Sequence, residues 1–358
     1  MTKCITKEQA FSKLPVLQPN DRILLLSHND LDGSGPYILL KLLFDKVDVI
    51  HIGNGAMSWK IRNTVVFDDT SEYDKIVVCD ISCNEKDALR ISKSENSKKL
   101  IILDHHDSAK HLNEYSFVCV EPNMLSDSSI AGFYGTHKDE AHSSGTSLMY
   151  DYLDYLGYWK NQPYENSVYN IKKFVQTIAA FDTWDWVNIF NSNENYQIYD
   201  TLFEIYSQEV FEETFLKRMY DFNQPLIREI DQTLISIEKR KIAKQLENIS
   251  TTIQTGTICI NETYYSIIFC HAENYILQCF EFMKEEYPDY DLYIIDYGLG
   301  LSLRTISDNI HIGMLLKEFG GGGHPGAGGI RYSLENKLNL ISKTLGDSMI
   351  VLDKKEFS

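Results

Sequence analysis

The stretch RILLLSHNDLDGSGPYILLKLLF, residues 22–44, decides the fold. Its opening run, RILLLS, is apolar without alternation, as in a strand buried on both faces of a helix-covered parallel sheet. GPYILLKLLF reads as a covering helix, and between the two lies a turn carrying His28, Asp30 and Asp32. Working outward, similar runs recur at VDVIHI (47–52), KIVVCD (75–80) and KLIILD (99–104). From Ser143, SSGTSLMYDYLDYL supplies another covering helix that opens on residues suited to capping. Strands alternating with helices predict an α/β first domain built on a parallel sheet.

From about 165 to 222 the pattern turns helical and aromatic, and over 208–248 apolar residues recur near a 3.6 period among charges. Strand-like runs return after 251 (YYSIIFC, DLYIID, GLSLRTI), followed by a helix at about 310–319 and a glycine cluster. The expected organisation is a catalytic domain over 1–205, a helical linker over 206–250 and a smaller α/β domain over 251–358.

With 358 residues, 43% hydrophobic and 24% charged, the chain has the length for two domains and too many apolar runs for wholesale disorder. Its longest apolar stretches are broken by charge and fall short of the ~20 residues that a membrane span needs. The N-terminal MTKCITKEQAF lacks an apolar core with a small-residue cleavage site, so the expected location is the cytoplasm. Seven cysteines are scattered with no CxxC pair, which fits reduced thiols. Cys79 and Cys83 bracket Asp80, but buried structural thiols are the commoner use of such residues. Lys and Arg total 34 against 51 Asp and Glu, a formal charge of −17. Affinity for long nucleic acid comes mainly from Lys and Arg displacing counterions, so this balance argues against a binder of long polyanions unless cations reverse the field locally.

Three expected strands end in acidic or imidazole residues: His28, Asp30 and Asp32 after the first, Asp80 after the third, and Asp104, His105 and His106 at the end of the fourth. Ligands of open parallel sheets bind beyond the carboxyl ends of the strands, so the three groups are expected to converge. Converging carboxylates raise one another's pKa unless cations offset them, and no Lys or Arg lies within these motifs. Divalent metal is the simplest answer, and oxygen and imidazole donors without thiolate favour manganese-like ions over structural zinc. Asp30 and Asp32, two apart on one turn, can each face a different ion with Asp80 bridging. Two ions ~3.5–4 Å apart lower the pKa of a bridging water and stabilise phosphoryl oxygens. Separately, FGGGGHPGAGG (319–329) offers successive unhindered backbone N–H groups, the material of a phosphate-wrapping nest or of an ordinary flexible loop.

SHNDLDG (27–33), VVCDIS (77–82) and LDHHDS (103–108), in this order, resemble the first three motifs of the DHH phosphoesterases, whose name is here spelled by Asp104-His105-His106. IAAFDTWDW (178–186) resembles the fourth, with Asp182 at the matching position and Asp185 as its competitor. The resemblance implies one metal held by His28, Asp30 and Asp80 and a second held by Asp32, Asp80, His105 and Asp182. It implies that His106 faces the scissile phosphate, stabilising charge or protonating the leaving oxygen, while Asp104 orients a neighbouring histidine. GLSLRT (300–305), a helix and GGGGH resemble the substrate-binding domain that accompanies DHH domains. This implies a nucleotide grip by Arg304 and His324, with Ser302 assisting and Gly321, Gly322 and Gly323 in the nest. The close spacing of His28 and Asp30 is more similar to the nanoRNase-type branch than to the manganese pyrophosphatases.

The expected function is hydrolysis of short RNA or DNA oligonucleotides or linear dinucleotides to nucleoside monophosphates. Two divalent ions, Mn2+ ahead of Mg2+, are the expected cofactors. A cyclic dinucleotide phosphodiesterase is the nearest rival. An exonuclease of the RecJ type on long strands would want a basic channel, and a catalytically silent nucleotide-binding protein would lack some of the ligands. No membrane partner is expected, and a homodimer is the assembly to look for.

Overall fold

Five strands form the first sheet: β1 (Ile23–His28), β2 (Val47–Ile52), β3 (Lys75–Cys79), β4 (Leu100–Asp104) and β5 (Val118–Val120). They pair in the order β2-β1-β3-β4-β5, and every pair is parallel. The helices of this region are α1 (Lys7–Phe11), α2 (Leu31–Leu43), α3 (Met57–Val66), α4 (Glu85–Ile91), α5 (Gly145–Tyr155), α6 (Glu165–Asp182), α7 (Asp185–Asn188), α8 (Ile198–Tyr206), α9 (Gln208–Tyr220) and α10 (Glu229–Ser250). This computed structural model describes residues 5–53, 57–160, 165–191, 194–221, 224–307, 309–317, 319–323 and 325–333. It divides into two compact units, Met1–Ile235 and Ser236–Ser358.

Unbroken hydrophobicity in the central strands has a direct structural cause. Side chains alternate between the faces of a strand, and here each face meets its own core. Ile23, Leu25, Val77, Ile101 and Leu103 enter one core, shared with α2, α5 and α6, whereas Leu24, Leu26, Ile76, Val78 and Ile102 enter the other, against α3 and α4. Each such side chain contributes roughly 1.5–3 kcal/mol on burial. The strand order also fixes where a ligand can sit. From β1 the chain goes to β2 on one side and then crosses to β3 on the other, so the crevice at this reversal opens at the carboxyl ends of β1 and β3.

The second unit carries a mixed sheet: β6 (Gln254–Ile260), β7 (Thr263–His271), β8 (Leu292–Asp296), β9 (Gly300–Arg304), β10 (Gly322–Gly323) and β11 (Ala327–Arg331), with helices α11 (Ile276–Glu286) and α12 (Ile312–Lys317). Its order is β10-β11-β9-β8-β7-β6; β7 and β8 run parallel through the α11 crossover, and the other pairs are antiparallel. Tyr293 and Ile295 face α11 while Leu292 and Ile294 face α12, so this sheet too is covered on both sides. Among the described residues no helix is long and apolar enough to cross a membrane.

Candidate metal centre

Each strand end at the crevice delivers its acidic group by a different local device. Asp30 is the N-cap of α2 and accepts a hydrogen bond from the Gly33 N–H at 2.9 Å. Asp32, in the first turn of the same helix, serves another element: its Oδ2 accepts from the Gly145 N–H at 2.6 Å and its Oδ1 from the Thr146 N–H at 3.0 Å. These are unpaired donors of the first turn of α5, where the helix dipole also favours a negative charge. Pro36 has no N–H to give the Asp32 carbonyl four residues back, and that carbonyl accepts from Thr146 Oγ1 at 2.7 Å instead. The approach of α5 depends on two glycines. A Cβ at Gly35 would lie 2.0 Å from Thr146 Oγ1, and one at Gly145 would lie 2.4 Å from the Asp80 Cβ.

Asp80 itself follows β3 in the left-handed region, at φ +64°, which aspartate tolerates better than most residues. Its Oδ1 lies 3.1 Å from His105 Nε2, and its Oδ2 lies 3.7 Å from His28 Nδ1, which also contacts Asp30. Asp182, at the end of α6, places Oδ2 3.4 Å from the same His105 nitrogen. Asp104 takes another position. Buried at the end of β4, its Oδ1 accepts from the backbone N–H groups of His105 (2.8 Å) and His106 (3.2 Å) and lies 2.7 Å from His106 Nδ1. The histidine that Asp104 orients is therefore His106.

Three groups of side chains bring their ligand atoms within 4.8 Å of one another: His28, Asp30 and Asp80; Asp32, His105 and Asp182; and Asp80, His105 and His106. The electrostatics of the cluster are unbalanced. Burial, and then the charges of Asp32 and Asp30, push the carboxyls of Asp80 and Asp182 well above the usual carboxylate range. Burial also acts on Asp30 and Asp104, but contacts with His28 and His106 respectively outweigh it and hold both below their ordinary values. His105 is drawn below the usual imidazole range by burial, while the bond to Asp104 holds His106 above it. Among the described residues no lysine or arginine pairs with Asp30, Asp32, Asp80 or Asp182. Asp80 Oδ2 and Asp182 Oδ2 are buried without a hydrogen-bond partner. Two orphaned carboxylate oxygens among imidazoles are a donor set that divalent cations fit. The neighbouring thiols have other roles: Cys79 Sγ meets the Gly145 carbonyl at 3.3 Å, and burial pushes the Cys83 thiol up to about 12.

Asp185, the competitor of Asp182, lies outside these groups; it is fully buried and bonded to His142. Neither His142 nor Asp200 was singled out from the sequence. Asp200, on α8, is pushed up to about 7 by burial and then by the charges of Glu204 and Asp30. Only the DTWDW pairing of two aspartates hinted at a second acidic role; nothing in IYDTLF marks Asp200.

In the second unit, Arg304 ends β9 with its guanidinium 5.3 Å from the centre of the Phe280 ring and its buried Nε without a hydrogen-bond partner. Ser302 is half-buried in the same strand, opposite Gly329. Gly321 donates its N–H to Leu316 O at 2.9 Å, and Gly322 and Gly323 pair with Gly329 and Gly328. The Gly321 N–H thus terminates α12 and the next two glycines form a short hairpin ladder, which is more ordered than the open loop that their spacing suggested. His324 lies outside the described residues.

With Asp104-His105-His106 gathered beside His28, Asp30, Asp32, Asp80 and Asp182 at the carboxyl edge of a parallel sheet, this chain has the arrangement that its resemblance to the DHH phosphoesterases implies. It is 27% identical over 313 residues to Oligoribonuclease NrnB of Bacillus subtilis (strain 168), which covers 85% of this chain and 71% of that protein. No family model matches the chain. Solved structures similar to it include an exopolyphosphatase-related protein from Bacteroides fragilis (15% identity, TM-score 0.43, 91% of this chain and 92% of that one). RecJ from Thermus thermophilus is another (11% identity, TM-score 0.40, 94% of this chain and 50% of that one).

Proposed function

We propose that this chain is a metal-dependent phosphodiesterase that hydrolyses short oligonucleotides or linear dinucleotides to nucleoside monophosphates. The observation that carries this reading is the pair of buried carboxylate oxygens, on Asp80 and Asp182, that lack a hydrogen-bond partner and lie against imidazoles at the switch point of a parallel sheet. The similarity to an oligoribonuclease favours oligonucleotides as the substrate class, and the formal charge of −17 favours short ones.

His28, Asp30 and Asp80 would hold one ion, and Asp32, Asp80, His105 and Asp182 the other. Manganese is the expected metal. When bound, two divalent ions acidify the attacking water and offset the charge that grows on the phosphoryl oxygens. The remaining work falls to the chain itself. The first turn of α5 fixes Asp32 through two N–H bonds, so this carboxylate is oriented before any ligand arrives. His106, with Nδ1 committed to Asp104, presents Nε2 to the substrate and protonates the leaving oxygen or neutralises its charge. Arg304, Ser302, Gly321, Gly322, Gly323 and His324 are assigned to nucleotide binding; the guanidinium's fork suits phosphate oxygens.

The test is a panel of dinucleotides, short RNA, cyclic dinucleotides, pyrophosphate and long single-stranded DNA, each incubated with purified protein and Mn2+ or Mg2+. Short linear substrates should be cleaved fastest, and excess chelator should abolish the cleavage. Undiminished turnover by metal-free protein, or a preference for long strands, would overturn the reading.

A further inference from the structure

His142 lies three residues before the start of α5 and is bonded to a carboxylate that the metal groups do not use. Its Nδ1 is 2.7 Å from Asp185 Oδ1, and its backbone N–H donates to Asp185 Oδ2 at 2.9 Å. The Asp185 carboxylate is fully buried, at 0% exposure, whereas the His142 side chain is 47% exposed. Among the described residues His142 is the only cationic group paired with Asp185. A carboxylate wholly removed from water is strongly unfavourable without a counter-ion, so the pair is stable when the ring carries the proton. The bond to Asp185 raises His142 above the ordinary imidazole range, in keeping with this geometry.

Both members stand close to the metal-binding edge along the chain. His142 is three residues from Gly145, whose N–H holds Asp32 at 2.6 Å, and Asp185 is three residues from Asp182, whose Oδ2 is 3.4 Å from His105. Three residues of fully extended chain span at most about 11 Å, a distance within a dinucleotide's reach. A strap joining the lead-in of α5 to α7 needs only the bond from the His142 backbone. The additional ring bond fixes the imidazole and leaves Nε2–H as an oriented donor on a cation for a group that comes from solvent. In a phosphodiesterase the anionic group other than the reacting one is a second phosphate.

We propose that His142, positioned by Asp185, binds a non-scissile phosphate of the substrate and so favours molecules with a terminal phosphate beside the bond to be cut. The assignment rests on the phosphodiesterase reading above. His142 is then a specificity residue and Asp185 a positioning residue.

The experiment compares pApA, ApA and bis-p-nitrophenyl phosphate as substrates of the metal-loaded wild type, His142→Gln and Asp185→Asn. Wild type should prefer pApA to ApA, and His142→Gln should lower kcat/KM for pApA roughly ten- to a hundredfold, the range for a charge-assisted hydrogen bond. ApA and bis-p-nitrophenyl phosphate should change by less than about threefold, and metal content should stay the same. Asp185→Asn should weaken the same preference by a smaller factor. A second readout needs neither activity nor a variant that folds well: in chelator, the His142 ring Cε1–H signal of the wild type should shift when pApA is added and stay in place with ApA. Equal losses on all three substrates, or a ring signal indifferent to pApA, would overturn the proposal. Should the wild type hydrolyse none of the substrates with either metal, the phosphodiesterase reading falls, while the ring signal still decides whether His142 binds the phosphate.

Discussion

Aspartates of the first unit are treated in two opposite ways. Asp231, on α10, has both oxygens engaged by the Arg218 guanidinium at 2.7 and 3.0 Å, with further bonds from the Tyr206 hydroxyl and the Arg228 N–H, each at 2.6 Å. Burial alone would push its carboxyl up, but these partners outweigh it and hold Asp231 below the usual range. Asp80, as buried as Asp231, and the half-buried Asp182 have imidazole neighbours but, among the described residues, no guanidinium, and both sit well above that range. A fold that supplies four donors to one carboxylate does not leave two others unsatisfied for want of donors. The contrast separates charge that the chain neutralises for itself from charge kept for a ligand.

The largest effect expected from breaking this contrast is on activity. Asp80→Asn retains a side chain that tolerates φ +64° and removes the proposed bridging charge. Its rate should fall at least roughly a thousandfold, the several kcal/mol that Lewis-acid stabilisation contributes. Metal-free protein should nevertheless gain about 1–4 kcal/mol in urea unfolding at pH 8 relative to metal-free wild type, because a buried, uncompensated charge is gone. A loss of stability would place Asp80 with Asp231 instead. His106→Ala should lose about 10²–10⁴ in rate. If His106 serves the phosphate, metal content will be near normal by atomic absorption; loss of an ion would move His106 into the group that it shares with Asp80 and His105.

Arg218→Ala should do the reverse of Asp80→Asn. It leaves Asp231 buried without its counter-ion, at a cost of about 3–5 kcal/mol in urea unfolding, while metal bound per folded molecule stays unchanged.

The smallest effect concerns an intermediate case. Asp151 is fully buried, accepts a bond from Ser128 Oγ at 2.8 Å, and is pushed up to about 7 by burial. An aspartate with a raised folded-state pKa keeps a proton that the unfolded chain has already shed. Stability from this group is therefore present below about pH 4, declines as pH rises towards 7 and is flat above that. Asp151→Asn should remove this decline and unfold at higher urea than wild type at pH 8, by up to about 4 kcal/mol. Equal urea midpoints for the two proteins at both pH 5 and pH 8 would show that Asp151 ionises normally.

The parallel sheet was legible because burial on both faces leaves continuous apolar runs, and because parallel strands all end at the edge where the chemistry collects. His28, Asp80 and Asp104 could be read as strand ends for that reason. The strand Val118–Val120 was not foreseen, since three residues set up no periodicity. β6 was missed for another reason: its exposed side chains give an edge strand little hydrophobic signal. In the mixed second sheet, strand ends point both ways, and Arg304 is distinguished by its contact with Phe280, a pairing across 24 positions that no local pattern announces. The bond between His142 and Asp185 is likewise long-range, over 43 positions. Of the two nearby aspartates, the resemblance put Asp182 first; that Asp185 would bond His142 had no signal in the sequence.

Asp32 has a consequence for how descendants of such a chain are to be interpreted. It is at once a candidate ligand and the acceptor for two N–H groups in the first turn of α5, those of Gly145 and Thr146, beside the helix's own Ser144 cap. A lineage that abandoned catalysis would still be under pressure to keep Asp32, because two buried N–H groups of the helix behind it would otherwise lose their acceptor. Retention of Asp32 therefore says little about whether a relative is still an enzyme. Asp182, whose carboxylate meets His105 of the same cluster, would be among the first residues to drift once selection for turnover relaxed.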